Sequence, residues 1–211
     1  MAETTAPRVF LASRNAKKLE EMRRILSDHV PDVEVLGLDD VTTYDEPVED
    51  RPTFEGNALL KAHAAVLATG LPSLADDSGL CVDALNGMPG VLSARWSGPP
   101  KSDSRNNQLL LAQLEDVPDE RRTAHFACAV AFAYPVGAGG VSEHVVHGEM
   151  PGRVIREVRG SGGFGYDVLF CAEGHDVTTA ELPREEKDAI SHRGKALAAI
   201  APRVADVLSG L

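Results

Sequence analysis

The chain has 211 residues, 43% of them apolar and 25% charged, and 32 acidic side chains against 21 basic ones leave a net charge of −11. A chain of this length buries enough surface to fold around its own core without disulfides or a structural metal, and its ordinary composition excludes disordered, collagen-like and coiled-coil classes. The negative charge argues against nucleic acid as a partner, since that needs a broad basic face. A small phosphorylated ligand is still allowed, held by a local cluster of Lys and Arg or through a divalent cation.

The longest nearly unbroken apolar stretch, Phe126 to Val136, is far shorter than the roughly 20 residues that cross a bilayer, so no membrane partner is expected. Residues 1–7 show no basic segment followed by an apolar one, which reads as no secretory signal and a cytoplasmic protein. Cys81, Cys128 and Cys171 are odd in number, far apart and without C-x-x-C spacing, so they read as buried thiols and not as a disulfide or zinc framework.

In chain order, Val9–Ala12 reads as a buried strand, and after Ser13-Arg14-Asn15 the helical spacing of Leu19, Met22, Ile25 and Leu26 takes over, closing at Ser27-Asp28. Val33–Leu38 reads as a second strand. An acidic loop then leads to Thr53, a candidate N-cap for a helix carrying Ala58, Leu59, Ala62, Ala65 and Val66 and stopped by Gly70. Ser73-Leu74-Ala75 is a short strand that places Asp76 and Asp77 at its end, and an apolar pattern resumes at Leu80 to Leu85. Ser102–Leu114 looks helical. Phe126, Cys128, Val130, Phe132 and Tyr134 alternate with other small or apolar residues as a strand buried on both faces, joined through Gly137–Gly140 to a partner over Val141–Glu149. A last helix carries Ile190, Leu197, Ala201, Val204 and Leu208, with Pro202 expected to kink it. With no repeat and no clear linker, the expectation is one mixed α/β domain over residues 1–211.

Several polar groups stand where chemistry would need them. Ser13, Arg14, Asn15, Ala16, Lys17 and Lys18 lie between strand and helix, where backbone N–H groups and the helix dipole favour an anion and Lys18 can reach back as a point charge; a plain cap is the other reading. Asp76 and Asp77 repel each other unless a cation or proton lies nearby, and Mg²⁺, with oxygen ligands from one or two carboxylates, suits them, although a surface turn would look the same. Glu46, Glu49, Asp50 and Glu55 add carboxylates before the second helix, Glu49 being the best candidate for a second metal ligand, and Lys61 lies on that helix. In Gly160–Asp167 the glycines permit close approach, Phe164 or Tyr166 offers a stacking face, and Asp167 can accept from a ring N–H. Lys187, Ser191, His192 and Arg193 open the last helix, where Arg193 presents a fork of donors for a carbonyl oxygen. The remaining histidines show no ligand spacing and carry no assigned role.

Taken together in order, Ser13-x-Asn15-x-x-Lys18, Thr53-Phe54-Glu55-x-Asn57-Ala58-x-x-Lys61-Ala62, Ala75-Asp76-Asp77-Ser78-Gly79-Leu80 running on to Arg95, Gly162–Asp167 and Glu186-Lys187-x-x-x-Ser191-His192-Arg193-Gly194 resemble the inosine triphosphate pyrophosphatase family over nearly the whole chain. The resemblance implies an elongated two-lobed α/β domain with a long mixed central sheet flanked by helices and a substrate cleft between the lobes, in a homodimer. It implies Mg²⁺-dependent hydrolysis of a small-molecule substrate, ITP, dITP or XTP, to the monophosphate and pyrophosphate. Asp77 matches the family's proton acceptor and metal ligand, with Glu49 as a further ligand. Ser13 to Lys18, Lys61 and Ser78 match its phosphate set, and Phe164, Gly165, Tyr166, Asp167, Lys187, His192 and Arg193 match the residues that hold the base and the substrate. Two positions depart from the family's pattern: Val168 follows Asp167 in place of proline, and Glu49-Asp50-Arg51-Pro52 stands where Glu-Thr-Gly is usual. A related pyrophosphatase of modified pyrimidine triphosphates, or a sensor that binds without turnover, would share these features.

Overall fold

The computed structural model describes residues 6–30 and 32–210; residues 1–5 of the stretch read for a signal lie outside the described residues. Strand β1 (Arg8–Leu11) leads into α1 (Ala16–His29), whose N-cap Asn15 accepts from the N–H groups of Lys17 and Lys18 and whose buried face is Met22, Ile25 and Leu26. After β2 (Glu34–Leu36), shorter than the pattern suggested, Thr53 caps α2 (Phe54–Thr69) by accepting from Gly56 N–H at 3.0 Å, and Gly70 ends it in the left-handed region at φ 69°. Next come β3 (Ser73–Val82), β4 (Met88–Pro89), α3 (Asp103–Gln113), β5 (Thr123–Val136), β6 (Gly140–Val154), β7 (Phe170–Ala172), α4 (Arg184–Ile190) and α5 (His192–Ser209).

The strands form one mixed sheet in the order β2-β1-β3-β5-β6-β7, with β4 beside β3. The pairs β1·β2 and β1·β3 are parallel, whereas β3·β4 and β6·β7 are antiparallel. The three residues between β5 and β6 are too few for a crossover, so this pair is the expected hairpin.

By its internal packing the chain divides into two units, the first made of residues up to Asp77, 129–147 and from Arg193 on, the second of residues 78–128 and 148–192. Each has its own core. In the first, the small residues Ala58, Ala62, Ala65 and Val66 of α2 pack with Ala129, Ala131 and Ala133 of β5 and with Phe10, Leu36 and Ala75. In the second, Leu110 of α3 and its C-cap Leu114 pack with Leu80, Val82, Phe126, Met150, Val154, Tyr166, Leu169 and Phe170. The divisions at Asp77/Ser78, Cys128/Ala129 and His147/Gly148 fall inside strands β3, β5 and β6, so there is no linker for composition to reveal.

Two expectations are corrected. Asp76 and Asp77 lie in the middle of β3 and not at a strand end, because the ladder continues through Ser78 and Gly79 to Val82. The last helix is two helices, since Ser191 adopts an extended conformation (φ −67°, ψ 151°) between α4 and α5. Pro202 does lie inside α5. Cys81, Cys128 and Cys171 are free thiols, the latter two buried.

Candidate active site

In the first unit the polar groups converge on β3. Asp76 is 1% exposed, and its Oδ2 accepts from Lys18 Nζ at 3.0 Å and from Arg193 Nε at 3.1 Å. Arg193 in turn donates from Nη1 to Glu21 at 2.5 Å, which explains a buried glutamate on the apolar side of α1. Burial by itself would raise the Asp76 carboxyl, but the charges of Lys18, Arg193 and Lys61 outweigh it and hold the group well below the usual carboxylate range. Asp76 is therefore an ionised hub.

Its neighbour is tuned the other way. Asp77 accepts from Asn57 Nδ2 at 2.8 Å, and Asn57, fully buried on α2, also accepts from Arg51 N–H at 2.9 Å. Burial pushes the Asp77 carboxyl up, Lys61, Asn57 and Lys18 draw it back only in part, and the negative charge of Glu49 adds to the rise. One turn beyond Asn57 on α2, Lys61 Nζ donates at 2.5 Å both to Glu49 and to the Asp76 carbonyl. Burial would lower the Lys61 pKa, yet Asp76, Glu49 and Asp77 keep it raised and the ammonium charged. Two hard oxygen donors, Glu49 and Asp77, one of them raised by burial and like charge, fit the small protein share that Mg²⁺ takes beside water and phosphate. No group of three or more His, Cys, Asp or Glu among the described residues is placed to hold a metal.

The opening turn is more exposed. Ser13 is half-buried, and its Oγ accepts from Asn15 N–H at 3.3 Å. Asn15 spends its side-chain oxygen on the cap, Arg14 pairs with Glu46 at 2.8 Å, and Ala16 and Lys17 face solvent at the start of α1. Lys18 is thus the member of this turn that reaches the buried carboxylate.

In the second unit Ser78 is half-buried on β3, and a separate network centres on Asp167. Its Oδ2 accepts from Phe164 N–H at 2.8 Å and Lys187 Nζ at 2.7 Å, and its Oδ1 accepts from Thr179 Oγ1 at 2.8 Å. Lys187 Nζ also lies 5.4 Å from the centre of the Phe164 ring. Gly163, at φ 68°, is required here, because a Cβ would come within 2.1 Å of the Asp167 carboxylate. Gly165 is held by α3: its N–H donates to Asp103 at 2.8 Å and its carbonyl accepts from Asn107 at 3.0 Å. His192 is buried and stacked on Phe126.

Three of these side chains have partners within the protein that no local spacing shows. Tyr166 is buried and its hydroxyl donates to the Ser93 carbonyl, whereas Phe164 is half-buried. Asp167 is a loop clamp whose oxygens already serve Phe164, Lys187 and Thr179. Arg193 is 1% exposed, and its guanidinium donates to Glu21 and Asp76.

The Ham1 family model matches residues 9–203 of the chain, a span that runs through both units and every residue of the two polar networks above. The chain belongs to the Ham1 family. A protein named dITP/XTP pyrophosphatase from Nocardia farcinica is 59% identical over 202 residues, covering 95% of this chain and 96% of its own. A crystal structure of a nucleoside-triphosphatase / dITP/XTP pyrophosphatase from Mycobacterium abscessus shares 52% identity over 92% of this chain and 99% of its own, with a TM-score of 0.73. The HAM1 protein of Coxiella burnetii is 39% identical over 94% of this chain and 98% of its own, with a TM-score of 0.82.

In this Ham1 chain sequence reasoning passed over four residues that the geometry brings forward: Asn57, Glu21, Asp103 and Asn107. Asn57 carried a signal, since a polar residue beside Ala58 on the apolar side of α2 needs a buried partner. Glu21 carried a fainter one, next to buried Met22. Asp103 and Asn107 sit one turn apart on α3, but their partner Gly165 is 62 and 58 residues away and invisible to local pattern.

Proposed function

We propose that this protein hydrolyses deaminated purine nucleoside triphosphates, ITP, dITP and XTP, between the α and β phosphates, releasing the monophosphate and pyrophosphate. The observation that carries the reading is the first-unit cluster, where an ionised Asp76 fixes Lys18, and where Lys61 stands beside a carboxylate, Asp77, whose proton affinity is raised. The names of relatives more than 50% identical over nearly the full length supply the substrate class.

In this mechanism Asp77 accepts a proton from water as its oxygen bonds to the α phosphorus, and the bond from that phosphorus to the bridging oxygen breaks, so pyrophosphate departs with the electron pair. Asn57 holds the carboxylate in place. Lys18 and Lys61 offset charge on the phosphate oxygens, where positioning and electrostatics supply most of the rate. Ser13 to Lys17 and Ser78 complete the phosphate contacts. Glu49 and Asp77 would hold Mg²⁺, which neutralises phosphate charge when bound.

To the second unit the reading gives the base. Phe164 offers a ring face, and Lys187, steadied by Asp167, is the donor for a 6-oxo group, with Gly165, Tyr166 and His192 shaping the loop and its support. Hypoxanthine and xanthine present a 6-oxo acceptor and an N1–H donor, whereas adenine reverses both and would leave polar groups unpaired.

The reading carries with it a cytoplasmic location, where the triphosphate pool to be cleansed lies, and a homodimer, whose mass light scattering checks. No described helix is long and apolar enough to cross a membrane. The deciding experiment incubates the protein with ITP, XTP, dUTP or ATP and Mg²⁺ and assays both phosphate products. ITP and XTP should yield pyrophosphate, and orthophosphate as the first product would falsify the assignment.

A further inference from the structure

The loop that presents Phe164 is gripped by a helix that the proposed chemistry does not otherwise use. Asp103 and Asn107 lie at i and i+4 on α3 and therefore on one face. Between them they take both polar groups of one residue, the N–H of Gly165 at 2.8 Å and its carbonyl at 3.0 Å. Gly165 is in the left-handed region at φ 63°, and nothing stands within 4 Å of where its Cβ would lie, so the loop is open on that side. The preceding N–H, that of Phe164, is bound by Asp167. The Phe164 N–H and both polar groups of Gly165 are thus held by side chains, while the Phe164 carbonyl accepts from the Asp167 N–H at 3.3 Å.

Anchorage of the loop does not need this bracket. Tyr166 already ties it to Ser93, whose carbonyl also accepts from Asn106, and α3 is already seated through Leu110 and Leu114 in the core. Asp103 is exposed at the first turn of α3, where its loss would cost the core nothing. Asn107 is 6% exposed, and its Oδ1 has no hydrogen-bond partner among the described residues. A buried acceptor left unpaired is unfavourable, and a leucine would fill a similar volume without it. What the amide supplies that leucine cannot is the donor to Gly165.

We propose that Asp103 and Asn107 are positioning residues for the base, clamping the Gly165 peptide groups from one face of α3 and so setting the angle at which Phe164 meets a purine. The inference rests on the preceding assignment of the base to this loop. Because the bracket acts on the base and not on the reacting phosphorus, its loss should weaken ground state and transition state alike, raising KM and sparing kcat.

The test uses the full chain with Mg²⁺ and ITP, in the variants Asp103→Ala, Asp103→Asn and Asn107→Leu, alongside hydrogen exchange of the Gly165 amide in nucleotide-free protein. Asp103→Ala should speed that exchange and raise KM for ITP by about three- to tenfold, the worth of one hydrogen bond, with kcat within about twofold. Asp103→Asn, which still has an acceptor, should recover most of the loss. Asn107→Leu should raise KM similarly without lowering the melting temperature. Unchanged KM in Asp103→Ala despite faster exchange, or unchanged exchange itself, overturns the proposal. Wild-type protein that releases no pyrophosphate from ITP overturns instead the functional reading on which it rests.

Discussion

Replacing Arg193 by methionine separates two roles for one residue. In the structure its guanidinium is 1% exposed and bonds to two carboxylates, Glu21 at 2.5 Å and Asp76 at 3.1 Å, which are themselves 8% and 1% exposed. Removing one partner from a buried charge network costs about 3–5 kcal/mol, because the charges left behind are neither solvated nor paired. Asp76 keeps Lys18 at 3.0 Å, so the low end, about 3 kcal/mol, applies. For a chain of this size each kcal/mol moves the midpoint by roughly 2–4 °C, so the melting temperature should fall by roughly 6–12 °C. Lys18→Met removes a less buried partner and leaves Arg193 on Asp76, so about 1–2 kcal/mol, roughly a third to two thirds of that drop, is expected. Adding Glu21→Leu to Arg193→Met should recover part of the loss by removing the stranded carboxylate. The assay is thermal unfolding by circular dichroism at pH 7 without nucleotide, with KM for ITP measured on the same preparations. An Arg193→Met protein that melts like wild type while its KM for ITP rises would refute the structural anchor and return Arg193 to the base.

Asp77→Asn should lower turnover of ITP by at least ~100-fold with the melting temperature retained, and near-wild-type pyrophosphate release would remove Asp77 as the base. Gly163→Ala places a methyl within 2.1 Å of Asp167 Oδ2 at a left-handed φ of 68°, so Asp167 must leave Phe164 N–H or Lys187. A cost of about 1–3 kcal/mol and a raised KM for ITP should follow, read by denaturant unfolding and steady-state kinetics; unchanged values would show the loop to be slack. Asp76 gives a pH signature. Its folded pKa is depressed below 3.8, so its ionised form stabilises the fold above about pH 4 and that contribution is lost as pH falls further. Asp76→Asn should therefore lower the melting temperature of the metal-free protein strongly at pH 7 and still clearly at pH 3, where the folded carboxyl remains ionised, whereas a drop that vanishes by pH 3 would rule out the strongly depressed hub.

Much of the fold was legible because its causes are local. Thr53 and Gly70 bound α2 through a hydroxyl three residues from its partner and a left-handed glycine, both within reach of a sequence window. The alternation in β5 and its short connection to β6 declare a buried hairpin. Failures came where tertiary contacts override a local pattern. Asp76 and Asp77 looked like the end of a strand because nothing nearby offsets two adjacent charges in a sheet; what offsets Asp76 is Lys18, 58 residues before it, and Arg193, 117 after it. Ser191 looked helical by spacing, yet it breaks the helix in an extended conformation that separates α4 from α5.

By itself the sequence determined which residues carry charge and apolar surface, where helices cap, and, through five ordered motifs, to which family the chain belongs. Tertiary structure alone decided which partners these groups meet: Arg193 bonds to Glu21 and Asp76, Asp167 to Phe164 N–H and Lys187, Tyr166 to Ser93, and Asp77 is the carboxylate whose proton affinity is raised. The reason is physical. A side chain's protonation and availability depend on burial and on charges a few ångströms away in space, and those neighbours are set by the packing of distant segments, which no local spacing records.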